Sequence, residues 1–212
     1  ENIMKPEHIH PQANYYHWSD ADSLLSYCQK ELKSLHGHTL IWHQQLPPWM
    51  EDFKGTEVEW EAMFKDHIQS ICRHFKGKVR AWDVVNEAVD LRTITDENGN
   101  RIEEAFFRES KWTKIIGEDF IELAFKFAHE ADPNAELIYN DFTMNNEVKA
   151  KFVSDMCKRI RSKGIRIDGV GMQAHWHLNY PSVEELKHVM RIYRESDLKV
   201  HLTELDVGIL ER

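Results

Sequence analysis

Glu87 and Glu204 each close a short apolar run, VRAWDVVNEA over 79–88 and KVHLTELD over 199–206. They lie 117 residues apart, so only a closed fold could bring them together. A parallel barrel does this by gathering the C-terminal ends of its strands on one face. Two carboxylates opposed across such a face suit glycosidic-bond hydrolysis. One gives a proton to the leaving oxygen, and the other stabilises or traps the oxocarbenium-like centre. The donor must keep its proton near neutral pH, which burial or a nearby negative charge arranges. The other must stay ionised, which hydrogen-bond donors favour.

The elements that would position these groups follow from periodicity. TLIW (39–42), VRAWDVV (79–85), ELIY (136–139), GVGMQA (169–174) and VHLT (200–203) are apolar almost throughout, as strands covered on both faces are. Residues 1–5 read as the tail of one more strand. Helical spacing covers 57–75, 113–131 and 146–163. A further helix, 20–34, has Ser19 as its expected cap. The last starts at Pro181-Ser182, with Ser182 and Glu185 forming a capping box. Strand and helix alternate, as in repeated βαβ units. Segment 90–110 reads as a loop built on the turn cluster Asp96-Glu97-Asn98-Gly99-Asn100, flanking Glu87.

Polar residues collect where the apolar runs end: Asn2 and Lys5, His43, Asn86 and Glu87, Asn140 and Asp141, Gln173 and His175, Glu204 and Asp206. One buried polar group could be structural, but a set repeated on successive strand ends reads as a site. Asp206 lies two residues after Glu204. If the strand continues, both point the same way and His175 could bridge them. Asn86 could donate to a sugar hydroxyl, but using both Asn86 and Glu87 needs a bulge or a bend there. Trp60 and Trp82 read as core. Trp42, Trp49 and Trp176 follow strand-like runs, where flat aromatic faces could meet sugar rings.

GHTLIWHQQLPPWM, WDVVNEA, YNDF, GVGMQAHW and LTELD, in this order and preceded by ENIMKPE, resemble glycoside hydrolase family 10, the endo-β-1,4-xylanases. The resemblance covers essentially the whole chain. It implies a (β/α)8 TIM barrel, present here as roughly strands 2 to 7, within one partial catalytic domain over residues 1–212. It implies Glu87 as acid/base and Glu204 as nucleophile of a retaining mechanism, with Glu1, Asn2, Lys5, His43, Trp49 and Asn86 as sugar contacts. Gln173 and His175 are assigned near the nucleophile, with Asp83, Asp206 and Asn140 in support. Phe142 departs from the pattern: family members often carry Tyr there. The implied partners are xylan and xylo-oligosaccharides, the implied form a monomer, and the implied location secreted or periplasmic.

Composition agrees with a folded domain, 42% hydrophobic and 30% charged over 212 residues. The net charge of −9 argues against nucleic-acid binding. No apolar run is long enough for a membrane span. Cys28, Cys72 and Cys157 fall on helical patterns and read as buried thiols rather than ligands. No metal or other cofactor is expected. A metal-dependent hydrolase would have to use His36-Gly37-His38 or His175-Trp176-His177, and the first pair precedes the TLIW run. A purely sugar-binding module would have no use for two opposed glutamates.

Overall fold

A computed structural model describes residues 2–209. It comprises α1 (Pro6–Ile9), α2 (Ser19–Lys30), β1 (His36–Ile41), α3 (Pro48–Glu51), α4 (Glu57–His74), β2 (Ala81–Asn86), β3 (Val89–Thr95), β4 (Arg101–Phe107), α5 (Lys111–Ile115), α6 (Phe120–Ala131), β5 (Glu136–Asp141), α7 (Glu147–Ser162), β6 (Gly169–Met172), β7 (His175–His177), α8 (Val183–Glu195), β8 (Lys199–Leu202) and β9 (Asp206–Gly208). Two compact units emerge, one running through Asn86 and adding Glu109–Ile138, the other comprising Glu87–Arg108 and the chain from Tyr139 onward.

In the first unit the strand order is β1-β2-β5, parallel between β1 and β2 with His36 opposite Ala81 and His38 opposite Asp83. α4 buries Trp60, Phe64, Ile68 and Ile71, much of the stripe its spacing implies. Thr56 and Glu59 cap it reciprocally. Trp82 is fully buried and Trp60 nearly so. Gly37 lies opposite Trp82, and a Cβ there would fall 2.2 Å from the indole ring. The glycine between the two histidines is therefore the space the Trp82 ring occupies.

Several expectations change here. Residues 2–5 form a turn into α1, not a strand end, because Lys5 N–H bonds back to Asn2 C=O and Pro6 opens the helix. Ser19 is the first residue of α2 rather than its cap, and the helix stops at Lys30. The single helix over 113–131 is broken into α5 and α6, since Gly117 takes φ +83° and ends the first piece. β1 begins at His36, so both histidines of the His-Gly-His triplet belong to the strand.

Those histidines have a shared purpose. His36 Nε2 and His38 Nδ1 each lie 2.8 Å from a different oxygen of Asp83, which is almost wholly buried. Burial alone would raise the Asp83 carboxyl, but the two imidazoles overcome it and hold it below the usual carboxylate range. Burial likewise works against charge on His36, yet Asp83 leaves its pKa raised.

In the second unit the order is β5-β6-β8, with β6 and β8 parallel from Gly169 opposite Lys199 to Met172 opposite Leu202. Segment 90–110 is not a loop. β3 and β4 pair antiparallel from Val89 opposite Phe107 to Thr95 opposite Arg101. The turn cluster sits at the tip, where Asp96 Oδ1 accepts from Asn98 and Asn100 N–H. α7 and α8 are capped at Asn146 and Ser182, and Ser182 forms its capping box with Glu185. All three cysteines are buried and free. Among the described residues no helix is long and apolar enough to cross a membrane.

The Asp83 cluster makes stability depend on pH from both sides. The Asp83 contribution is complete above its unfolded pKa of about 3.9 and is lost as pH falls through its lower folded value. The His36 contribution is complete below about 6.5 and is lost as pH rises through its higher folded value. Two charge-assisted hydrogen bonds at about 1.5–3 kcal/mol each set the scale. Urea unfolding of Asp83→Ala should show a loss of about 3 kcal/mol at pH 5.5 and a smaller loss at pH 8.5. An equal loss at both would show that the imidazoles contribute no charge.

Candidate active site

The second unit brings six of the expected site residues together at the ends of its strands. β2 stops at Asn86, and Glu87 follows with φ +57°, a bend that breaks the extended backbone there. A non-glycine residue held there costs on the order of 1–3 kcal/mol. The surrounding hydrogen bonds hold it. Glu87 N–H donates to Asn140 C=O at 2.9 Å, and Glu87 C=O accepts from Arg108 Nε at 3.0 Å.

Glu87 and Glu204 are tied to the same two residues in reciprocal fashion. Asn140 accepts the Glu87 N–H on its backbone and donates its side-chain Nδ2 to Glu204 Oε1 at 2.9 Å. Gln173 does the reverse: its C=O accepts the Glu204 N–H at 3.1 Å, and its Nε2 donates to Glu87 Oε1 at 2.9 Å. Gln173, expected beside the nucleophile, therefore meets Glu204 through its main chain and Glu87 through its side chain.

Asn140 is itself oriented. The Thr203 hydroxyl donates to Asn140 Oδ1 at 2.6 Å, which turns Nδ2 toward Glu204. Space for the amide comes from Gly171, where a Cβ would lie 2.2 Å from Asn140 Oδ1.

His175 stands between Glu204 and Asp206, with Nε2 3.3 Å from Glu204 Oε2 and Nδ1 2.6 Å from Asp206 Oδ2. The expected reason is corrected. The strand does not run on through Asp206: β8 ends at Leu202, and Asp206 opens β9, which pairs with β7 so that His175 lies opposite Asp206. Strand pairing, not two-residue spacing along one strand, creates the contact. Partial burial disfavours the imidazolium, but Asp206 and then Glu204 raise the His175 pKa overall.

The remaining expected residues fall in the first unit. Lys5 is buried, its Nζ 2.9 Å from Asn2 Oδ1 and 4.9 Å from the centre of the Trp42 ring. His43 is half-buried just past β1, and Trp49 lies in α3 with Nε1 donating to His10 C=O at 2.8 Å. Asn86 is buried at the end of β2, and Asp83 serves His36 and His38. Glu1 lies outside the described residues. Among the described residues no three His, Cys, Asp or Glu side chains group as a metal site.

Sequence reasoning missed Thr203, Gly171, Arg108 and Lys149. Lys149 was legible in principle, because it stands four residues before Val153 and seven before Met156, both on the buried stripe of α7.

The model of glycosyl hydrolase family 10 matches residues 1–212. The chain belongs to this family. An endo-1,4-beta-xylanase A of Xylanibacter ruminicola is 43% identical over 99% of this chain, and an endo-1,4-beta-xylanase of Geobacillus stearothermophilus is 40% identical over 100% of it. The chain spans 55% and 62% of the length of these relatives. Native xylanase 10C from Cellvibrio japonicus superposes with a TM-score of 0.89 at 34% identity, covering 99% of this chain and 43% of that one. Xylanase 10B from Thermotoga petrophila, solved with xylobiose, gives 0.84 at 37% identity, covering 97% of this chain and 60% of that one. The family fold is the (β/α)8 barrel, and the parallel strands and intervening helices here are part of one.

The dependence of Asn140 on Gly171 yields an expected outcome. Gly171→Ala should displace the amide from Glu204 and lower the hydrolytic rate proposed below about 10–100-fold, the size of one hydrogen bond to a charged group. Asn140→Ala should lose a similar factor, and initial rates of the double variant should be no worse than the poorer single one. Losses that multiply would show that Gly171 acts on something other than Asn140.

Proposed function

We propose that this chain carries the catalytic centre of a retaining endo-1,4-β-xylanase, with Glu87 as acid/base and Glu204 as nucleophile. The observation that carries this is the reciprocal bonding of the two glutamates by Asn140 and Gln173. Glu87 gives its proton to the glycosidic oxygen as Glu204 attacks the anomeric carbon, so the leaving sugar departs neutral and a glycosyl-enzyme ester remains. Glu87, now a carboxylate, takes a proton from water, which attacks the same carbon and frees Glu204. Asn140 Nδ2 and His175 Nε2 both meet the Glu204 carboxylate, at 2.9 and 3.3 Å, and hold it in one orientation.

Xylan and xylo-oligosaccharides are the proposed substrates. The names of the relatives and the xylobiose bound in a structural neighbour support this. A polymer that cannot enter cells fits action in a secreted or periplasmic setting. Asn2, Lys5, His43, Trp49 and Asn86 are the proposed sugar contacts of the first unit.

Retention needs the two carboxyl groups about 5–5.5 Å apart, too close for a water between nucleophile and sugar. NMR of the first sugars released from xylan should therefore show the β-anomer. Initial α-anomer would overturn the nucleophilic role of Glu204.

The two glutamates should also fail differently. Glu204→Ala should abolish turnover of every substrate. Glu87→Ala should spare the first step for aryl xylosides with good leaving groups while losing about 10²–10⁴-fold on xylan. A similar response of both variants to leaving-group quality would reverse or void the assignment.

A further inference from the structure

Beneath the bend at Glu87 lies a buried charged cluster that the roles above leave unused. Asp141 and Lys149 are both fully buried, with Nζ 2.8 Å from Oδ1. Asp141 Oδ2 also accepts the Tyr139 hydroxyl at 2.5 Å and the Val89 N–H at 3.4 Å, while Oδ1 accepts the Phe142 N–H at 2.8 Å. The Tyr139 hydroxyl oxygen in turn accepts the Ala88 N–H at 3.1 Å. The two residues that follow Glu87 are thus hydrogen-bonded to this cluster. On the other side, Arg108 N–H donates to Ala88 C=O and its Nε to Glu87 C=O.

Burial opposes charge on both partners. It pushes Asp141 up to about 6 and pulls Lys149 down, while their mutual contact and the Tyr139 hydroxyl work the other way. Glu87 itself adds a small upward push on Asp141, which marks the nearness of the two carboxylates. Lys149 also lies 4.3 Å from the centre of the Phe142 ring, and Asp90 favours its charge while Arg108, itself paired with Asp90, opposes it. An ion pair this dry adds little to net stability, and its best-attested use is to specify one arrangement.

We infer that the Asp141–Lys149 pair, acting through Tyr139, Ala88 and Val89, is a positioning device for the Glu87 carboxyl. The inference rests on the acid/base reading of Glu87. A left-handed residue at the end of a strand has several ways to relax. Fixing the next two amide groups, one to the Tyr139 hydroxyl and one to the Asp141 carboxylate that this hydroxyl bonds, removes them and sets where the Glu87 side chain emerges. These are positioning residues, because none need touch the sugar.

The test compares two substrates in the full-length protein: xylan, whose leaving group needs a proton, and 2,4-dinitrophenyl β-xylobioside, whose leaving group does not. Lys149→Met should lower kcat/KM on xylan at least about tenfold, within the range of general-acid catalysis, and on the aryl glycoside by less than about threefold. An equal loss on both substrates, or no loss, would overturn the inference. If Lys149→Met shows no cooperative thermal transition, Tyr139→Phe decides on the same terms, because it removes only the hydroxyl between Asp141 and Ala88. Glu87→Ala, run alongside, should show the same selectivity more strongly. If Glu87→Ala is unselective, the acid/base reading fails and this inference with it. If Glu87→Ala is selective while the cluster variants are not, only the inference fails.

Discussion

Both carboxylates hang on the same two residues, and that shared attachment sets the requirements for the rest of the second unit. Asn140 uses its backbone for Glu87 and its side chain for Glu204, while Gln173 does the opposite. Displacing either strand end therefore disturbs both carboxylates at once. Rigid positioning of this kind matters because misplacement by about an ångström can cost about a hundredfold in rate. The small residue at Gly171 and the hydroxyl of Thr203 follow from the same requirement, since the Asn140 amide must fit and must face one way.

The two glutamates nevertheless sit in different surroundings, as the two roles proposed for them need. Glu204 meets Asn140 Nδ2 and an imidazole whose proton Asp206 helps to keep, in a part of the unit open enough to leave His175 exposed. Glu87 receives Gln173 Nε2, and its backbone rests on a dry ion pair and an arginine. Positive φ recurs just past the strands, at Glu87, Thr143 and Ala174. A regular extended chain would send successive side chains to opposite faces, so the local bends are what let neighbouring residues serve one site.

Where sequence reading went astray, the cause was local pattern being outvoted by pairing or by a single residue. DLRTIT and RIEEAFF lack a clean apolar alternation, because many of their side chains face solvent. Their strand character comes from each other. The apolar run over 113–131 keeps helical spacing across Gly117, yet the glycine's left-handed backbone ends the helix there. Lysine is so seldom fully buried that its type gives no local sign of a core position, and the carboxylate of Asp141 2.8 Å away is what pairs Lys149 there.

The sequence by itself determined the alternation of apolar strands with amphipathic helices, the Ser182 cap, the buried thiols and the polar residues at each strand end. These are properties of residue type and period, and each is decided within a few residues along the chain. Only the tertiary structure decided which polar group meets which. That His175 reaches Asp206 through the pairing of β7 with β9, that Gln173 gives its amide to Glu87, and that Asp83 belongs to two histidines all depend on register between distant segments. Register is set by backbone pairing and packing across the sheet, and no local pattern encodes it.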